Sequence, residues 1–414
     1  MCLVPKHSSI IFNSVQIKHA FTSILIIWIA GIFFSRFLQS IGTISMCVLF
    51  LLSNNWRESK KSYFKTMLGI AFFGIFVVYL LSYFNSENKI EYVNILKNKI
   101  PFLFIPLSLI SVSYLEKKQV QLLNYFFVLC AFISSLWSYY YYLQNVELYT
   151  KLYIQGEVIP TIIHHISLAV LLCFAVLFLL DNLIHENTMI KKIINFLLLI
   201  WFIYFIHVLS VRTGIVLLYI GLFLFGVISF ITYKKPIFAL GLIILLFFSA
   251  YISYQKIPTI KSKIDYTYYG ILLFKSSNDT ANVVSDSRRF LSDKIGIEII
   301  KKNRLTGVGT GDLKETMNTY YKQHYPLFKP DVYSHIHNQY LYTICGVGII
   351  SGGIFCLLLW LPFIQFIRGK KLLYSIMYVL LLLVMFWESF IESQLGSSIF
   401  LVVCCLGFVS EKET

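Results

Sequence analysis

Charge is what this 414-residue chain has least of. Asp, Glu, Lys and Arg together make up 13% of it, where a soluble domain carries roughly 25%. With 57% hydrophobic and 17% aromatic residues, the chain cannot cover itself with polar surface, which excludes a set of soluble domains. Acidic groups are scarcer than basic ones, 20 against 35, for a net charge of +15. The basic residues do not gather on one solvated face, so the charge does not imply a nucleic-acid partner. They sit in short clusters between apolar runs, where they orient helices. The segment 255–337, the longest polar stretch, holds none of the eight cysteines. All of these but Cys2 lie in or against apolar runs, where Cys behaves as a small hydrophobe, so no disulfide framework is implied. No C-x-x-C or H-E-x-x-H spacing occurs, and no metal is implied. Internal repeats and low-complexity tracts are absent too.

What is present is apolar runs of spanning length. About 20 mostly apolar residues cross the roughly 30 Å of hydrocarbon in a bilayer. Candidate spans are 19–35, 37–53, 65–84, 99–115, 120–143, 161–181, 193–209, 213–232, 236–254, 338–366, 371–391 and 396–410. The expected fold is therefore all-α, a polytopic integral membrane protein of about twelve helices, with residues 1–414 forming one transmembrane domain. The polar N-terminal lead, and a second apolar run close behind the first, read as a retained span and not a cleaved signal peptide.

Lys and Arg in the loops orient these spans. One alternate set holds Arg57, Lys60, Lys61, Lys65, Lys117, Lys118, Lys191, Lys192, Lys234, Lys235, Arg368, Lys370 and Lys371. With the termini, that side carries about sixteen basic residues against about six in the opposite short loops, so both termini are expected in the cytoplasm. The segment 255–337, between the ninth and tenth spans, then faces outward; long loops translocate largely regardless of charge. A connection of that length is usually functional. Within it, 290–300 has apolar residues at helical spacing, with Asp286 or Ser287 as a cap and the membrane surface as its expected resting place.

Titratable residues near membrane depth are expensive to desolvate and are functional suspects for that reason. His164 and His165 open the sixth span, Arg212 the eighth. His335 and His337 lead into the tenth, and Glu388 and Glu392 close the eleventh. All fall at the outer face, beside the long loop with its Arg288 and Arg289. Arginines there suit a diphosphate, whose oxygens the planar guanidinium grips in pairs. A neighbouring histidine accepts a proton near neutral pH. Each residue also has a plainer reading: Arg212 as a snorkelling anchor, His164 and His165 as helix packing, Glu388 and Glu392 as partners of the arginines. His335 and His337 are not separated by composition. Gly307-Val308-Gly309-Thr310-Gly311 follows a predicted helix and lacks a βαβ unit, so it reads as a tight turn that brings backbone close to substrate or to another helix.

Three stretches in order carry a resemblance: Val211-Arg212-Thr213-Gly214; Ser287-Arg288-Arg289 through to Leu305-Thr306-Gly307-Val308-Gly309-Thr310-Gly311-Asp312; and His337-Asn338-Gln339-Tyr340-Leu341 with Gly346 and Gly348. Together, over roughly 150–410, this chain resembles the O-antigen ligase and O-antigen polymerase family of bacterial membrane glycosyltransferases. The resemblance implies an enzyme of the bacterial inner membrane that needs neither metal nor other cofactor. Its donor would be a glycan on undecaprenyl diphosphate and its acceptor lipid A–core, or another lipid-linked repeat unit in a polymerase. It implies His337 as the catalytic histidine and Arg212 with Arg289 as the diphosphate pair; Arg288, His164 and His165 are further candidate substrate contacts. Two positions depart from the family, Asp293 where an aromatic is usual and Arg304 where a proline is. The rival class is a flippase or exporter of the same lipid-linked sugar, although transporters often show repeated halves with sites at the midplane.

Lysine substitution separates a diphosphate clamp from membrane anchoring. Lysine snorkels as arginine does but lacks the planar fork. Losing a transition-state contact to a charged oxygen costs roughly 3–4 kcal/mol, or about a hundredfold in rate. Arg212→Lys and Arg289→Lys are expected to lose that much transfer in vitro at normal protein levels, with Arg288→Lys milder. Full activity in the first two would leave anchoring as their role.

Overall fold

The computed structural model describes residues 14–52, 63–112, 115–154, 157–232, 234–262, 264–266, 268, 285–326, 333 and 335–410. Among them there is no β-strand, and each predicted apolar run is a helix. In chain order these are α1 (Ser14–Phe34), α2 (Arg36–Leu52), α3 (Met67–Leu81), α4 (Lys89–Lys97), α5 (Ile100–Val112), α6 (Lys117–Gln144), α7 (Val146–Ile154), α8 (His165–His185) and α9 (Met189–Leu209). They continue as α10 (Arg212–Ile231), α11 (Pro236–Lys256), α12 (Ser285–Lys302), α13 (Leu313–His324), α14 (Gln339–Leu358), α15 (Trp360–Arg368), α16 (Leu372–Val384) and α17 (Gln394–Val409). Eight candidate spans are long and apolar enough to cross a membrane; α2, α16 and α17 are apolar but shorter. The chain is thus a polytopic helical membrane protein. The short helices α4, α7 and α13 lie between predicted spans and have no counterpart in the apolar pattern.

Helix α8 is the axis of the bundle. It packs against α6, α9, α10, α16 and α17, and 83% of its most apolar window is buried, against 17% in α11. A helix apolar all round belongs inside a bundle. Helix α10 approaches α8 closely because Gly214 has no side chain: a Cβ there would lie 2.5 Å from that of Ala169. The first turn of α8, with its histidines, and the first turn of α10, with Arg212, therefore share one end of the bundle.

The long connection folds back onto protein. Leu291, Ile295 and Ile299 of α12 are buried with Leu313, Met317 and Tyr321 of α13 and with Ile336 and Cys345. This departs from the expectation of a surface-lying helix: the apolar stripe is covered by α13 and the start of α14, while Phe290 and Ile297 remain exposed. Helix α12 also begins at Ser285, so Asp286 and Ser287 fall within its first turn and do not precede it.

Gly307–Gly311 is a turn docked onto a neighbouring helix. Helix α14 is interrupted at Gly348 (φ 84°, ψ 171°), which opens its backbone. The freed carbonyls of Cys345 and Gly346 accept from the N–H groups of Val308 and Gly309, both at 2.9 Å, and the Ile349 N–H donates to Arg304 at 2.8 Å. From the other side Asn85 Nδ2 donates to Gly307 O (2.7 Å). Asp312 accepts from the N–H groups of Glu87 (2.6 Å) and Asn88 (2.7 Å). Three of the backbone groups freed at the break, the carbonyls of Cys345 and Gly346 and the Ile349 N–H, are thus paired with the turn.

This arrangement makes Gly348 sensitive to any side chain. A left-handed φ costs a non-glycine residue about 1–2 kcal/mol, and a Cβ at Gly348 would stand 2.0 Å from Leu305 O. Gly348→Ala is expected to lower the melting temperature in detergent, whereas Gly353→Ala, with nothing within 4 Å of the new methyl, leaves it near wild type. Equal melting of the two variants would contradict the docked turn.

Candidate active site

A single cavity of about 1110 Å³ opens where the ends of α1, α8, α12, α14 and α16 meet, and His164, His165, Arg289, His335, His337, Glu388 and Glu392 all line it. Seven polar groups from four sequence regions converge there, as expected. Arg212 and Arg288 are outside the lining. Arg212 heads α10 at the same end of the bundle, and Arg288 neighbours Arg289 on α12.

Local structure explains the placement of His337. Asn338 is the N-cap of α14, its side chain accepting from the N–H groups of Tyr340 (2.9 Å) and Leu341 (3.1 Å). Gln339 bridges to the segment after α16: its Oε1 accepts from Ile391 N–H at 3.0 Å and its Nε2 donates to Glu392 Oε1 at 2.6 Å. Its own N–H donates to Met385 O at 2.8 Å. In His337-Asn338-Gln339, the second residue starts the helix and the third ties it to the loop carrying Glu388. His337 is left at the cavity wall.

Glu388 is the hinge of the charge arrangement. Its Oε1 stands 2.7 Å from Arg289 Nη2. Its Oε2 stands 3.5 Å from His337 Nδ1, at the outer limit of a hydrogen bond. Glu388 thus lies between the Arg289 guanidinium and the His337 imidazole. Where Nδ1 carries the proton toward Glu388, Nε2 is the basic nitrogen able to accept one from a hydroxyl. Arg289 retains further donors in its fork, and its side chain is 34% exposed. Desolvation at the cavity wall and the neighbouring His337 shift the His335 imidazole below its ordinary value, although the residue is exposed. The His335 ring centroid lies 4.4 Å from that of His337, and those of His164 and His165 are 4.5 Å apart. Among the described residues, no group of three or more His, Cys, Asp or Glu side chains is placed to hold a metal ion.

Sequence reasoning missed a second cluster. Lys99, fully buried, donates to Ile391 O at 2.5 Å and stands 3.1 Å from Glu392 Oε2. Tyr79 donates its hydroxyl to Glu392 Oε1. Glu392 thus pairs with a lysine, not with an arginine as the plainer reading had it. Arg36, Gln39, Asn94, Asn98 and Lys314 also line the cavity. Arg36, Asn94 and Asn98 sit in the short connections opposite the basic ones, while Gln39 and Lys99 fall at the outer ends of the second and fourth predicted spans, a signal open to inspection in the sequence. The departure at Asp293 has a consequence as well. Its carboxyl, pushed up by burial, is held by the backbone of Asn338 and by His337, so it faces the catalytic candidate where an aromatic could only pack.

Residues 196–358, less than half of the chain, match the family model described as O-Antigen ligase. No curated protein matches the chain. The matched stretch contains Arg212, Arg289, His335 and His337, while His164, His165 and Glu388 lie on either side of it.

Glu388→Gln keeps the shape and removes the charge. A positioned base is worth roughly 10²–10⁴ in rate, and loss of its orienting anion is expected to remove at least about tenfold of that. The measurement is kcat/KM for glycan transfer, with melting temperature as the control for folding. A rate equal to wild type would mean that Glu388 does not orient His337.

Proposed function

Because the chain carries an O-antigen ligase family region over residues 196–358, we propose that it is a glycosyltransferase of the bacterial inner membrane using a glycan on undecaprenyl diphosphate as donor. The acceptor hydroxyl loses its proton to His337 as its oxygen attacks the anomeric carbon. The bond from that carbon to the diphosphate oxygen breaks, and the diphosphate departs with the electron pair. Arg289, on the cavity wall, stabilises its growing charge, the effect that contributes most when donors are already in place; Arg212, at the same end of the bundle but outside the lining, is the second arginine that the resemblance implies. The lipid diphosphate is itself the leaving group, so neither nucleotide nor metal has a required part in this scheme. The observation that carries the reading is the Arg289–Glu388–His337 constellation in a cavity fed by several helix ends.

The same reading gives about twelve crossings, with both termini cytoplasmic and 255–337 periplasmic. In chain order, the segments lining the cavity come from alternate connections: 31–39, 91–98, 161–167, 289–337 and 388–395. These are the connections assigned to the outer side by the basic-residue asymmetry. The favoured acceptor is lipid A–core, which makes the protein a ligase; transfer to another repeat unit would make it a polymerase.

A deletion strain separates these outcomes through its surface lipopolysaccharide. Loss of all capped core identifies a ligase, and core carrying single repeats identifies a polymerase. Complementation with His337→Ala is expected to leave the deletion phenotype with protein levels intact, while His335→Ala restores capping substantially. Restoration by His337→Ala would remove the histidine from the mechanism.

A further inference from the structure

The cavity extends well beyond the Arg289–Glu388–His337 centre. Helix α4 turns Glu91, Asn94 and Asn98 to the lining, spaced three and then four residues apart, which puts them on one helical face. Helix α13 contributes Lys314 and Asn318, again one turn apart, and Ile95 and Met317 fill the positions between. A smaller hollow of about 190 Å³ shares Glu91, Lys314 and Asn318 with the large cavity, so this wall continues into a second opening. The two helices are held in register by Asp312, the residue before α13, which accepts from the N–H groups of Glu87 and Asn88 at the head of α4.

We propose that the wall formed by α4 and α13 is a saccharide subsite, an inference that rests on the glycosyltransferase reading and adds the place where the sugar chain lies. The chemistry of the wall selects this ligand class. Asn94, Asn98 and Asn318 each offer a donor and an acceptor on one planar group, matching a chain of hydroxyls whose own groups do both. Ile95 and Met317 supply apolar surface for the C–H faces of a sugar ring. One cation and one anion, Lys314 and Glu91, nearly cancel, and no arginine is present, which suits a neutral glycan better than a diphosphate.

The saccharide belongs either to the donor or to the acceptor, and steady-state kinetics distinguishes them. The test is the purified full-length Asn94→Ala/Asn318→Ala variant, assayed with an undecaprenyl diphosphate donor carrying a complete repeat while donor and acceptor are varied in turn. Losing two amide contacts is expected to raise one KM by about tenfold, with kcat at saturation changed by less than about twofold. A rise in donor KM places the donor glycan on the wall, and a rise in acceptor KM places the acceptor there. Unchanged KM values, or a fall in kcat alone, would overturn the subsite while leaving the transferase reading intact. Should wild-type protein transfer nothing, the transferase reading fails separately. Saturation-transfer NMR with the free repeat oligosaccharide then decides the subsite, which predicts a signal with wild type that the double variant loses.

Discussion

The exchange of backbone hydrogen bonds between the break in α14 at Gly348 and the turn Arg304–Gly309 is the constraint on which the site depends. A helix at membrane depth tolerates an interruption only where other groups satisfy the freed carbonyls and N–H groups, and here a loop from outside the bundle does so. That docking fixes the turn, and through it α12 on one side and α13 on the other. Helix α12 carries Arg289, while α13 lines the cavity. The same broken helix begins at the Asn338 cap beside His337. One backbone junction therefore sets the positions of the cationic group, the histidine and the far wall of the cavity relative to each other.

Charge is tolerated in this setting because it is paired. Desolvating an ion costs several kcal/mol unless a partner and hydrogen bonds compensate. Glu392 meets that cost with Lys99, Tyr79 and Gln339. Glu388 meets it with Arg289 and His337. The two carboxylates divide the work. Glu392 joins the first helices to the last at the buried side of the cavity, whereas Glu388 shares its partners with the space that a substrate would fill. On the proposed reading, a diphosphate entering that space would compete with Glu388 for Arg289, whose guanidinium the ion pair already holds in place.

Much of this was legible in the sequence. Apolar runs of spanning length can only become helices in a bilayer, and all of them did. Charged residues at the ends of spans marked the cavity, because desolvation keeps such residues away from membrane depth without a reason. His337 and Arg289 were readable from their ordered motifs, and His164, His165 and Glu388 from their position. What could not be read depended on tertiary contact. Helices α4 and α13 are too short to read as spans, and their placement beside the glycine turn rests on contacts such as those of Asp312 with Glu87 and Asn88. Lys99, the first residue of a predicted span, was passed over because its partner Glu392 lies about three hundred residues away in sequence. Arg212 shares the motif but not the cavity lining, a difference that no local pattern encodes. The apolar stripe of α12 gave the helix correctly and its partner wrongly, because periodicity shows that a face is covered but not by what.

The central claim is that a glycosidic bond is made and a lipid diphosphate released, as opposed to an intact lipid-linked sugar being moved. Purified protein in proteoliposomes, given undecaprenyl diphosphate bearing a labelled glycan and an acceptor in the same leaflet, tests this directly. The account predicts free undecaprenyl diphosphate appearing in step with labelled glycan covalently attached to the acceptor. Label that stays on undecaprenyl diphosphate and appears in the opposite leaflet would contradict it and identify a transporter.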